Sequence, residues 1–154
     1  MLMITYKDIE HERLGDAPFI GALIVAAHCS GNCPGCFNQH LKLWDNKFDT
    51  AANIIKEVKK NPINEGIILG GLEWSEQPFD LLDLVNFALW EQLQVIVYTR
   101  LTETEFFRLL PELESKPIYV KFGEYDETQA SDCYFSHGVK LATTNQYIKY
   151  MGRC

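Results

Sequence analysis

The chain has 154 residues, a formal net charge of −7 and a composition that is 47% hydrophobic and 12% aromatic, enough apolar material for the core of a single domain spanning 1–154. It contains no run of about eighteen apolar residues to span a membrane, no long block of Lys and Arg to face nucleic acid, and at its start no basic end, apolar stretch and cleavage site of a signal peptide. The expectation is a soluble, cytoplasmic protein whose five cysteines are reduced and open to metal.

Ile4 to Ile9 reads as a short edge strand. Ile20 to Ala27 is almost continuously apolar, which suits a strand buried on both faces. It leads directly into Cys29-Ser30-Gly31-Asn32-Cys33-Pro34-Gly35-Cys36, a loop of small residues carrying three thiols. A short helix is expected somewhere in Phe37 to Phe48. Asp49-Thr50 then caps a helix from Ala51 to Lys60, with Ala51, Ile54, Ile55 and Val58 as its buried face and Asn61-Pro62 as its stop. Glu65 to Leu69 is a second strand, ending in Gly70-Gly71. Pro78 opens a strongly apolar helix reaching about Glu91, and Gln94 to Tyr98 is a third strand. Thr102 and Glu105 form a capping box for a short helix to Leu110, closed by Pro111. Ile118 to Phe122 is a fourth strand and Val139 to Ala142 a last short one; residues 145–151 carry no clear signal. Strands alternating with helices imply an α/β fold of parallel strands joined by helical crossovers. Ligands gather at the carboxyl ends of such strands, so the cysteine loop and Gly70-Gly71 are expected on one face.

Thiolates are the usual ligands of iron–sulfur clusters. A cubane of four irons takes four ligands and this loop offers three, which leaves one iron open, and an open position marks a catalytic rather than a structural metal. The alternative is structural zinc, closed by a fourth ligand from His28, His40 or Cys133, although only one Cys-x2-Cys pair is present. Cys133 and Cys154 stand apart and read as incidental thiols. Trp44 and Trp74 fall near the site, as core or rim.

Cys29-x3-Cys33-x2-Cys36 resembles the signature of the radical S-adenosylmethionine (SAM) enzymes. Cys33-Pro34-Gly35-Cys36-Phe37-Asn38 is similar to the small, single-domain activating enzymes of anaerobic ribonucleotide reductase. Thr143-Thr144-Asn145-Gln146 resembles the Ser-Ser-Asn-Gln near the carboxyl end of those activases, with Tyr147 in place of the usual Arg. The resemblance covers most of the chain. It implies a partial, open TIM-like barrel, a [4Fe–4S] cluster on Cys29, Cys33 and Cys36, and SAM chelating the open iron. It implies SAM contacts from Gly70 and Gly71, from Glu73, and from Thr99 after the third strand.

Further departures accompany the match. Leu72 stands where the pattern has an acid, with Glu73 one residue later and Trp74 in place of Pro; Arg100 replaces Gly; Lys121 replaces Asp; and Arg13-Leu14-Gly15-Asp16-Ala17-Pro18 matches the family's Gly-rich segment poorly. The implied activity is reductive cleavage of SAM to methionine and a 5′-deoxyadenosyl radical, which takes hydrogen from a glycine of the reductase large subunit. No side chain is assigned as a general acid or base. The implied partners are that subunit and an electron donor of flavodoxin or ferredoxin type. Another glycyl-radical enzyme or a small molecule as target, and a zinc-stapled module without catalysis, are the competing readings.

Overall fold

The computed structural model describes residues 3–31 and 38–152. In chain order its elements are β1 (Met3–Arg13), β2 (Gly21–Ala26), β3 (Lys47–Thr50), α1 (Ala51–Lys59), β4 (Gly66–Gly70), α2 (Pro78–Trp90), β5 (Gln94–Tyr98), α3 (Glu103–Leu109), β6 (Tyr119–Phe122), β7 (Phe135–Ser136), β8 (Val139–Lys140) and β9 (Tyr147–Tyr150). Seven strands form one mixed sheet in the order β3-β1-β2-β4-β5-β6-β9, and β7 and β8 pair separately. The fold is α/β, and the sheet does not close into a barrel.

The centre of the sheet is parallel: β2 with β4, β4 with β5 and β5 with β6. Along these four strands spatial order follows chain order, so every crossover steps the same way. With crossovers of one hand, each connecting helix then lands on the same face of the sheet. The packing agrees: buried residues of α1, α2 and α3 join one cluster with Ile67, Leu69, Val95, Val97, Val120 and Phe122. The alternate strand residues Ile68 and Ile96 face the other way and pack with Ala17, Phe19, Val139, Leu141 and Ile148, because successive side chains of a strand point to opposite faces.

Local chemistry sets the helix boundaries. Thr50 caps α1 by accepting from Asn53 N, and the buried face is Ala51, Ile54, Ile55 and Val58; each large apolar side chain so buried is worth roughly 1.5–3 kcal/mol. Thr102 and Glu105 form the reciprocal capping box of α3. Pro78 occupies the first turn of α2, where its missing N–H costs nothing. α2 buries only Leu81, Leu84, Val85 and Ala88, and turns Phe79 and Trp90 outward.

Three expectations are corrected. β1 is no short edge strand: it has eleven residues and pairs with β2 on one side and β3 on the other. The edge is β3, which begins in the last two residues of the stretch expected to hold a short helix and runs through Asp49-Thr50, expected as a cap alone; the stretch also contains a short 3-10 helix at Gln39–Leu43. Residues 147–150 form β9, antiparallel to β6. Both β3 and β9 have four residues and are largely exposed, so neither shows the apolar periodicity that marks the central strands. No helix among the described residues is long and apolar enough to cross a membrane.

Candidate functional site

The carboxyl ends of the four parallel strands meet around a cavity of about 530 Å³, walled by Cys29 after β2, Gly71 and Glu73 after β4, Thr99 and Arg100 after β5, and Gly123 after β6. The chain from Ala130 to Ser131 and from Lys140 to Ala142 closes the opposite side. This volume suits a small-molecule ligand. Of the residues expected to contact SAM, Gly71, Glu73 and Thr99 are in the wall, while Gly70 sits one step behind it, within β4 and opposite Val25 of β2. Cys29 is half-buried in the wall; Cys33 and Cys36 lie outside the described residues.

Gly71 has φ +85°, and a Cβ there would lie 2.6 Å from Val25 Cγ1. Only glycine meets both conditions at low cost. The chain can therefore turn out of β4 and bring bare backbone to the cavity.

Glu73 is 3% exposed. Its Oε2 accepts from Ser75 N at 3.2 Å, Ser75 Oγ at 2.7 Å and Thr99 Oγ1 at 2.9 Å, and its Oε1 accepts from Arg100 N at 2.7 Å. Glu73 N donates to His28 O at 2.7 Å. The Glu73 carboxylate thus joins the ends of β4 and β5, and its main-chain N–H adds the end of β2. A carboxylate oxygen has about two acceptor sites, so Oε1, with a single donor, keeps one unused while Oε2 is crowded by three donors. Thr99 is equally engaged, since its Oγ1 donates to Glu73 and accepts from Leu101 N at 3.1 Å. Trp74 is core: it is fully buried and donates Nε1–H to Ile24 O at 3.0 Å. Trp44 is partly exposed, edge-on to the exposed His40.

The cysteine loop is gripped from two sides. Glu76 Oε2 accepts from Ser30 N at 2.8 Å and Ser30 Oγ at 3.0 Å. Lys42 Nζ donates to Gly31 O at 3.0 Å. Arg100 lies beside the start of the loop, with Nη2 3.4 Å from Ser30 Oγ and 3.7 Å from Glu76 Oε2. Its Nε is buried and has no hydrogen-bond acceptor, a situation that costs about 1–3 kcal/mol.

Burial pushes the Cys29 thiol up from its ordinary value, and the charges of Glu73 and Glu76 add to the rise while Arg100 opposes it. A metal binding there therefore displaces a proton. Desolvation pulls the Arg100 guanidinium down, but Glu73, Cys29 and Glu76 outweigh it and hold the group above its usual value.

Thr143-Thr144-Asn145-Gln146 works through the backbone. Asn145 Nδ2 donates to Glu124 O at 2.8 Å, and Gln146 Nε2 donates to Gly123 O at 3.2 Å. Gln146 O accepts from Tyr134 OH at 2.7 Å. The segment pins the approach to β9 against the end of β6, and Gln146 also reaches the cavity wall. Lys121 is buried in the same wall, 3.3 Å from Gly123 O and over the Tyr98 ring.

Sequence reasoning left Glu76, Ser30, Lys42 and Lys121 without a role at the site. The bonds that define the first three cross 46 and 11 positions, and nothing local marks them. His28 contributes its carbonyl rather than its exposed ring, and Cys133 is exposed at the surface.

Among the described residues no group of three or more His, Cys, Asp or Glu side chains is gathered to hold a metal ion. The donor chemistry nevertheless fits a sulfur-ligated centre at Cys29: a half-buried thiol on a cavity wall, with a cation and an unmatched buried N–H alongside it. Compared with protein-family models and with curated protein sequences, the chain has no match.

Proposed function

We propose that the chain is a cytoplasmic radical SAM activase that generates a glycyl radical on the large subunit of anaerobic ribonucleotide reductase, drawing electrons from a flavodoxin- or ferredoxin-type donor. One observation carries the reading: the first cysteine of the Cys-x3-Cys-x2-Cys loop, the bare backbone of Gly71 and the Glu73–Thr99 hub line a single cavity at the carboxyl ends of consecutive parallel strands. The one-way strand order with helices on one face favours a partial, open TIM-like barrel of the radical SAM type over a doubly wound sheet, in which strand order reverses and ligands sit at the reversal.

Cys29, Cys33 and Cys36 would hold a [4Fe–4S] cluster, whose chemistry is one-electron reduction of SAM. Around it, Gly71 admits a ligand close to the main chain, and the remaining acceptor site of Glu73 Oε1 suits an ammonium. Glu73 and Thr99 hold three strand ends in register. Leu141 lines the cavity and packs in one apolar cluster with Ile68 and Ile96, a backing that limits the entry of water from that side. No general acid or base is required.

The test is anaerobic reconstitution with iron and sulfide, followed by mixing with the reductase large subunit, SAM and dithionite. The expected result is a brown protein and a glycyl-radical doublet in paramagnetic resonance, both abolished in Cys33→Ala. A colourless protein that retains zinc instead identifies a zinc-stapled module. SAM cleavage without the doublet points to another glycyl-radical enzyme or a small-molecule substrate.

A further inference from the structure

We infer that Arg100 sets the reduction potential of whatever sulfur-ligated centre the cysteine loop carries, as a fixed cation beside Ser30 and Gly31 at the start of the loop whose unmatched Nε–H is the donor for a sulfur acceptor. The inference rests on the reading of the loop as a cluster site.

The geometry is specific. The point where a Cβ on Gly31 would stand is 3.1 Å from Arg100 Nε and 3.4 Å from Cys29 Sγ, so guanidinium and thiol flank the same piece of bare backbone. The Nε–H is buried and unaccepted, although buried donors are nearly always paired. An acceptor arriving on the cysteine side completes it. Arg100 is held there from both ends, by its main-chain N on Glu73 at 2.7 Å and by its Nη2 near Ser30 and Glu76. The side chains of Arg100 and Glu76 are 31% and 26% exposed, so solvent screens their charges only in part.

Reduction adds one electron to the centre. A neighbouring cation and an N–H donated to sulfur both favour the reduced form, and a neighbouring carboxylate disfavours it. Arg100 and Glu76 therefore act in opposite directions on one centre. Arg100 is a positioning and tuning residue; it is assigned no contact with substrate.

The test titrates the reconstituted protein alone with dithionite against redox mediators and reads the cluster by paramagnetic resonance. Arg100→Gln is expected to lower the ratio of reduced to oxidised cluster at a set potential about tenfold, the order expected of one unit charge at intermediate dielectric, which is about 59 mV for a one-electron couple. Glu76→Gln, which keeps an acceptor for Ser30, is expected to shift the ratio the opposite way. Arg100→Lys is expected to restore most of the loss, since it returns the charge without the Nε–H. Wild-type protein that takes up no iron and sulfide removes the cluster reading and this inference together. A cluster whose potential is unmoved in all three variants, or moved in one direction by both Arg100→Gln and Glu76→Gln, overturns the inference alone. Should Arg100→Gln fail to assemble, Glu76→Gln and Arg100→Lys decide it, and unchanged potentials in that pair overturn it.

Discussion

The two faces of the central sheet do different work. On the helical face, Ile67, Leu69, Val95, Val97, Val120 and Phe122 are all at most 1% exposed and share one apolar cluster with the buried residues of α1, α2 and α3. On the other face, Ile68 and Ile96 are as deeply buried, yet two residues further along their strands come Gly70 and Tyr98, and Tyr98 pairs with Lys121 of β6 in the cavity wall. The covering there comes from short irregular segments around Phe19 and Leu141 instead of helices. The difference separates tasks: one face holds the fold, and the other gives up apolar contact near the strand ends to set polar side chains into the wall of a cavity.

Four substitutions or conditions probe that division. The largest effect is expected on the helical face. Phe122 is fully buried against the rings of Phe106 and Phe107, so Phe122→Ala should cost about 3–5 kcal/mol in denaturant unfolding. Iron uptake per folded molecule should be unchanged; a simultaneous loss of uptake would show that the two faces are not independent. Next is Gly71→Ala, where the backbone conformation and the Val25 clash act together; a cost of about 2–4 kcal/mol is expected, with cavity ligands bound more weakly. Gly70→Ala is its control, because a Cβ there meets the end of Leu23 at 3.3 Å and Tyr98 at an ordinary 3.7 Å, and equal costs at the two positions would break the argument for Gly71.

Glu73→Gln comes third. It keeps the size of the side chain but sets an amide N–H against one of the donors that Glu73 now receives. About 1–3 kcal/mol should be lost, together with amide protection at Arg100 in hydrogen exchange. Protection as strong as wild type would mean that the hub is dispensable.

The smallest effect lies at the sheet edge, where Glu103 accepts from Lys149 Nζ at 2.7 Å and Tyr147 OH at 2.9 Å and so links α3 to β9. The Lys149 hydrogen bond, helped by Tyr147, holds the Glu103 carboxyl below its ordinary value of 4.5. Because the folded value is depressed, this contribution is fully present above pH 4.5 and fades as pH falls through the folded value. An exposed pair of this kind is worth well under about 1 kcal/mol. Lys149→Met should therefore lower the unfolding midpoint slightly at neutral pH and not at all in strong acid; a gap that persists in acid would assign the effect to packing.

How much of this was legible in the chain follows from where each signal lies. The buried face of α1, the capping box at Thr102, the entry of α2 at Pro78 and the bounds of β5 all depend on residues a few positions apart, and the structure reproduces them. β3 and β9 were not legible because an exposed edge strand of four residues owes its conformation to the neighbour it pairs with. The site divides in the same way. The thiol spacing is local and stands out in the sequence. The Thr99 and Arg100 donors on Glu73, the Glu76 hold on Ser30 and the seat of Arg100 beside Ser30 are contacts across 26, 27, 46 and 70 positions.

By itself, then, the sequence determined the α/β alternation, the helix ends and the grouping of three thiols after an apolar strand, because periodicity, caps and spacing act within one or two turns of chain. The tertiary structure alone decided which strands are edges, which face opens into a cavity and which charges stand beside Cys29. Those outcomes depend on how parallel strands stack, and stacking brings together side chains that no short stretch of sequence contains.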